Sequence, residues 1–159
     1  MKSGRVAIAG LSLSAAALIG LWGREGWTER AVIPVPGDVP TIGPGLTQRA
    51  DGTPVQLGDR ITPLDGARRS LAHIQRDEAG LKRCVTVELH QAEYDAYLSL
   101  AYNIGVAAFC SSTLVKRLNA GDYAGACAEI LRWDKFRGQP LRGLTLRRQA
   151  EYRQCVDAG

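Results

Sequence analysis

Histidine is scarce in this chain of 159 residues, with only His73 and His90, and no Cys-x-x-Cys pair occurs. A zinc centre built from such ligands is disfavoured, and no metal site is expected. Internal repeats and low-complexity tracts are missing after the N-terminal segment, which removes repeat architectures. Seven prolines and 45% hydrophobic residues exclude wholesale disorder. The length excludes a multidomain machine and suits one domain with an appendage. A domain of this size buries about 68% of its unfolded surface.

Acid is missing from the first 23 residues, which hold Lys2 and Arg5 and no Asp or Glu. The remaining 136 residues carry 18 basic and 16 acidic side chains, so half of the net charge of +4 belongs to the N-terminus. The body is nearly neutral, and no nucleic-acid partner is expected.

Between those flanking charges and Arg24 lies an uncharged run of 17 residues, Val6–Trp22. A positive start before an apolar run is an export signal, with the positive end left in the cytoplasm. As a helix the run spans about 26 Å, short of the ~30 Å hydrocarbon core. Glycine, alanine and serine dilute it, so its hold on lipid is expected to be weak. Four readings follow: a signal peptide cleaved after Ala17, a permanent anchor, a signal-anchor that later leaves the bilayer, and a buried N-terminal helix of a cytosolic protein. The third is preferred. It divides the chain into a segment 1–23 and a body 24–159.

All four cysteines, Cys84, Cys110, Cys127 and Cys155, lie in that body. An even number after an export segment reads as a disulfide framework, with three connectivities open.

Turn formers crowd residues 31–63, with short β-prone pieces at Ala31–Val35, Thr41–Ile42 and Val55–Leu57 and a hairpin signal at Asp51-Gly52. From residue 64 the apolar spacing becomes helical. Ser112 and Asp122 are placed to cap two helices, and Thr145 to open the last. The fold class is α+β: a small irregular β part and a larger helical lobe, preceded by one N-terminal hydrophobic helix.

A set of groups suited to glycoside hydrolysis lies just past the apolar run. Glu25 is followed by Asp38 and, sixteen residues after Glu25, by Thr41 in the glycine-rich stretch Thr41-Ile42-Gly43-Pro44-Gly45-Leu46-Thr47. A carboxylic acid protonates the leaving oxygen, a second carboxylate activates water or attacks the sugar, and a hydroxyl helps to hold the water. Glycine lets the backbone approach a ligand closely.

Glu25-Gly26 together with Thr41–Thr47 resembles the active-site region of the phage-type lysozymes, glycoside hydrolase family 24. Leu100-Ala-Tyr-Asn-Ile-Gly105 is similar to that family's AFNVG-type element, and Gly143-Leu144-Thr145-Leu146-Arg147-Arg148-Gln149-Ala150-Glu151 to its GLxxRRxxE ending. Phe109–Leu114 and Leu118–Tyr123, then Trp133, fall between them in the family order, so the resemblance covers roughly residues 24–156.

The resemblance implies a lysozyme-like fold. It implies a muramidase that cuts the β-1,4 bond between N-acetylmuramic acid and N-acetylglucosamine in peptidoglycan, for host cell lysis, with no cofactor. A monomer is expected. Glu25 matches the general acid, which must carry its proton near neutral pH, and Thr41 the residue that positions water. The family's catalytic Asp lies nine residues after the Glu and six before the Thr; Pro34 and Val35 occupy those places here. Asp38 is the nearest candidate and Glu29 the second. An inverting reaction is implied, with carboxyls about 6.5–9.5 Å apart. Asn103, Arg147 and Arg148 are expected at the saccharide or beside a catalytic carboxylate. The disulfides implied are Cys84–Cys110 and Cys127–Cys155. For the N-terminus the resemblance implies a signal-anchor-release segment: tethering at the inner membrane through residues 6–22, facing the periplasm, then release into it. The altered Asp position keeps open a non-catalytic, membrane-tethered peptidoglycan-binding relative.

Overall fold

A computed structural model describes residues 4–158. Lys2, one of the two N-terminal cations, lies outside the described residues. Two compact units emerge: Ala15–Gln75, and a helical unit that joins the chain up to Ser14 to the chain from Arg76 onward.

The first unit contains α1 (Ala15–Glu25), β1 (Thr28–Val32), β2 (Thr41–Gly43) and the first half of α2 (Pro63–Cys84). β1 and β2 are antiparallel, pairing Thr28 with Gly43 and Val32 with Thr41 across a register irregularity. On the other side of β1 runs residues 59–61: Ala31 donates to the Asp59 carbonyl and Ile61 to the Glu29 carbonyl, both at 3.0 Å. Ala31, Ile42, Leu46, Val55 and Ile61 form the core of this part. Val55–Leu57 forms no strand. It belongs to a loop whose Asp51-Gly52 turn is real: the Arg49 amide donates to the Thr53 carbonyl at 2.7 Å, and Gly52 has φ 85°. The loop is closed by a bidentate pair, Arg49 Nε to Asp59 Oδ2 at 2.7 Å and Nη2 to Oδ1 at 2.9 Å. The Arg49 guanidinium and the Gln56 amide hold the Asp59 carboxyl down at about 2. α1 reaches α2 through a 2.8 Å bond from Trp22 Nε1 to the buried Ser70 hydroxyl.

The helical unit holds the rest of α2, then α3 (Gln91–Ile104), α4 (Val106–Cys110), α5 (Thr113–Asn119), α6 (Tyr123–Glu129), a two-residue hairpin of β3 (Lys135–Phe136) and β4 (Gln139–Pro140), and α7 (Arg142–Val156). Tyr94, Tyr97, Leu98, Leu100 and Ala101 make α3 the centre of its core, with Phe109, Leu114, Leu118 and Ile130 around it. Ser112 caps α5 through the Val115 amide, and Asp122 caps α6 through that of Gly125. α7 starts three residues before Thr145, whose hydroxyl lies 3.3 Å from the Leu141 carbonyl one turn back. Disulfides join Cys84 to Cys110 and Cys127 to Cys155. Loops of 26 and 28 residues make each worth about 3.5 kcal/mol of unfolded-state entropy.

The expected single hydrophobic helix at the N-terminus is not formed. Val6 makes a two-way antiparallel bridge to Leu89, Ile8–Gly10 is one 3₁₀ turn, and α1 starts only at Ala15. Backbone and side-chain groups of residues 5–14 are instead held by partners in the helical unit. The Leu13 amide donates to Glu78 Oε1 at 2.7 Å, and the Ser14 amide and hydroxyl donate to Asp95 at 3.0 and 2.7 Å. Gln91 Nε2 donates to the Ser12 carbonyl at 2.8 Å. Arg5 pairs with the buried Glu93 at 2.7 Å and stacks 3.6 Å from the Tyr123 ring centre. Among the described residues no helix is long and apolar enough to cross a membrane.

Arg148→Met should cost about 3–5 kcal/mol, because it strands the fully buried Glu151, which Arg148 Nε meets at 2.7 Å; denaturant unfolding reads it. Asp59→Asn should lower the melting temperature at pH 6. A depressed carboxyl contributes stability above its unfolded value near 3.8, and that stability is lost as pH falls through about 2. The gap between wild type and variant should therefore close on acidification to pH 2, as thermal melts across pH will show.

Candidate active site

Glu25 is the last residue of α1. Gly26 follows with φ 73°, the left-handed conformation that ends helices and favours glycine, and it turns the chain into β1. Thr28, three residues past Glu25, pairs with Gly43 in β2, and Thr41 pairs with Val32. Helix end and hydroxyl are thus joined by one short hairpin.

Past β2 the chain doubles back. The amides of Ile42 and Leu46 donate to each other's carbonyls at 2.9 Å, enclosing Gly43-Pro44-Gly45. Gly43 and Gly45 have φ of 60° and 80°. A side chain at 45 would also have to push Glu25 aside. A Cβ built there would stand 2.7 Å from Glu25 Oε2 and 3.4 Å from its Cδ. The Glu25 carboxylate therefore rests against the backbone of this turn, half-buried, with the turn limiting its freedom.

Asp38 lies in the β1–β2 connection, half-buried, three residues before Thr41. Its amide donates to the Val35 carbonyl at 2.9 Å, and its Oδ1 accepts the Val39 amide at 2.8 Å. Asp38 Oδ2 takes no part in these two bonds of the turn. Glu29 is exposed on β1 and lines a groove with Arg30 and Arg60, a lining that includes neither Glu25 nor Thr41. Trp27 lays its ring edge on Gly66, where a Cβ would meet the ring at 2.4 Å.

Asn103, Arg147 and Arg148 belong to the helical unit. Arg148 is fully buried. Its Nη1 donates to Asn103 Oδ1 at 2.8 Å and its Nη2 to Glu151 Oε1 at 3.0 Å, while Ser99 donates to the same Glu151 oxygen at 2.7 Å. Arg147 Nε stands 3.6 Å from Glu151. The pair of arginines is thus organised around one interior carboxylate, and neither guanidinium forms part of a solvated basic face. Sequence reasoning overlooked Glu151 and Ser99 in this role. The (i, i+3) spacing of Arg148 and Glu151 was the available signal.

The Phage lysozyme family model matches residues 23–151. The chain is 42% identical over 115 residues to an endolysin of Acyrthosiphon pisum secondary endosymbiont phage 1, covering 70% of this chain and 75% of that protein. It is 31% identical over 108 residues to the SAR-endolysin of Enterobacteria phage P21, covering 66% and 64%. Among solved structures, an endolysin from Escherichia coli O157:H7 phage FAHEc1 superposes with a TM-score of 0.80 at 32% identity, over 94% of this chain and 96% of that one. With the family matched across most of its length and the fold shared, the chain belongs to the phage lysozyme family of hydrolases.

Proposed function

We propose that this chain is an endolysin-type muramidase that hydrolyses the β-1,4 bond between N-acetylmuramic acid and N-acetylglucosamine in peptidoglycan. The observation that carries the reading is the Glu25 carboxylate seated on the Gly45 turn, in the same hairpin as Thr41. Glu25 is the general acid, protonating the glycosidic oxygen as the bond breaks. Asp38 is the second carboxylate, removing a proton from water on the opposite face of the sugar, and Thr41 holds that water. Asp38 is favoured over Glu29 because it precedes Thr41 in the same connection, whereas Glu29 lines a groove that contains neither Glu25 nor Thr41. Water attack from the far face inverts the anomeric carbon. Arg147, Arg148 and Asn103 order the interior of the helical unit around Glu151 and are assigned no step of the reaction.

The N-terminal segment has two uses in this reading. Residues 6–22 first hold the protein at the inner membrane, facing the periplasm; after release the same residues supply interior positions such as Leu11 and Leu21. A residue cannot be in lipid and in the protein interior at once, so the tethered protein lacks those contacts and is less active. The segment contains no cysteine, so release needs no disulfide exchange.

New reducing ends released from purified peptidoglycan test the catalytic assignment on the full chain. Glu25→Gln should lower kcat by about 10²–10⁴-fold, the range for a positioned proton donor. Asp38→Asn should fall comparably and Glu29→Gln little; the reverse order would reassign the base. Retained activity in Glu25→Gln would leave a binding relative. Anomer-resolved products should show inversion.

Gly45→Ala probes the seat of the acid. Its Cβ must displace Glu25, and the left-handed backbone adds about 1–2 kcal/mol of strain. A misplaced catalytic group of about 1 Å costs up to 10²-fold, so kcat should drop by roughly 10–100-fold while KM changes little. Steady-state kinetics would reveal it. Membrane-bound protein should turn over peptidoglycan more slowly than protein released by depolarisation.

A further inference from the structure

Within the Ala15–Gln75 unit, the outer side of β1 carries a groove of about 700 Å³. Arg30 on β1 and Arg60 on the neighbouring segment stand directly opposite each other across an antiparallel bridge. Both line the groove, with Thr28, Glu29, Ile61 and Thr62. Like charges directly opposed on paired strands destabilise a sheet. Among the described residues neither arginine is in an ion pair, and both are exposed. The contrast with Arg49, ten residues before Asp59 and locked on it by two short bonds, is direct.

Two guanidinium forks beside threonine hydroxyls suit carboxylates, which arginine takes in bidentate fashion. Glu29, exposed and likewise without an ion pair, adds a single acceptor for an ammonium group. The lining is therefore amphoteric with excess positive charge. The strand order places it near the reaction: β1 has β2, with Thr41, on one side and Arg60 on the other, and neighbouring strands lie about 5 Å apart.

We propose that this groove is a subsite for the peptide stems of peptidoglycan: Arg30 and Arg60 bind stem carboxylates, and Glu29 receives a stem ammonium. The inference rests on the muramidase reading for its substrate class. It assigns no step of hydrolysis to the groove. It makes Arg30 and Arg60 specificity residues that let the enzyme favour peptide-bearing glycan over bare glycan.

Full-length Glu25→Gln protein, which leaves the ligand uncut, allows binding to be measured by itself. The probes are peptidoglycan tetrasaccharides with stems, the same fragments stripped by an amidase, stem-bearing fragments with amidated carboxyls, and phosphatidylglycerol vesicles. Stem-bearing fragments should bind roughly tenfold tighter than stripped or amidated ones. Adding Arg30→Gln and Arg60→Gln should erase that ratio, and Arg30→Lys with Arg60→Lys should restore part of it, since the charge returns without the fork. In protein with Glu25 intact, the glutamine pair should raise KM on stem-bearing substrate. Equal affinity of the parent for stem-bearing and stripped fragments overturns the proposal. So does equal weakening of both by the glutamine pair, or loss of vesicle binding alone, which would assign the arginines to lipid phosphate. If Glu25-intact protein cleaves no glycan, the muramidase reading fails, yet the binding ratio still decides the subsite.

Discussion

The place of the acid depends on a side chain that is missing. A methyl group at position 45 would fall 2.7 Å from Glu25 Oε2, well inside van der Waals contact. Glycine leaves room for this approach and adopts the φ of 80° without strain. The requirement propagates outward. To bring Gly45 to Glu25, β2 must pair with β1 so that Thr28 meets Gly43, and the chain must reverse over Pro44. To bring Glu25 to Gly45, α1 must end where it does, and Gly26 must take the left-handed turn into β1. The small core of Ala31, Ile42, Leu46, Val55 and Ile61 holds that hairpin in register. A one-residue slip would turn Ile42 out of the core and carry Thr41 inward.

The helical unit solves a different problem. It buries several charges and gives Glu151, Glu93 and Asp95 close partners. Glu151 receives Arg148 and Ser99; Glu93 receives Arg5 and the His90 amide; Asp95 receives Ser14 and Gln91. Such groups add little net stability over apolar packing, and breaking any one pair is costly. What they provide is specificity. Glu78, Glu93 and Asp95 accept three separate parts of the residue 5–14 stretch, so the N-terminal chain docks in one register. An apolar run without Ser12, Ser14 and Arg5 would pack in several. Ser14 weakens this stretch as a membrane span and also binds it to the protein through its hydroxyl. In the proposed life of the enzyme that double character is what permits transfer from lipid to interior.

The two disulfides act at the far end of the same logic. Cys84–Cys110 fastens the end of α2 to the end of α4, and Cys127–Cys155 fastens α6 to α7. Short helices such as α4, α5 and α6, of five to seven residues, are too short to be stable alone. Covalent closure and the packing of α3 supply what their own hydrogen bonds do not.

Much of this was legible in the amino-acid order, because it is local. Helical spacing after residue 64, the caps at Ser112 and Asp122, and the Asp51-Gly52 turn depend on neighbours within a few residues. Glu25, Asp38 and Thr41 fall within 17 residues, so the groups proposed to react stand together in the sequence. Tertiary structure decided everything that depends on distant partners. The N-terminal run is α-helical only from Ala15, because Glu78 and Asp95, 65 and 81 residues away, take the donors of Leu13 and Ser14. Arg148 became an interior ion-pair member because α3 and α7 meet and bring Asn103 and Ser99 to it and to Glu151. Arg30 and Arg60 face one another only because the chain returns beside β1 after a loop of about thirty residues. Periodicity and turn chemistry act over one or two turns of chain; which charges end up buried, paired or opposed is settled by packing, where desolvation decides the cost.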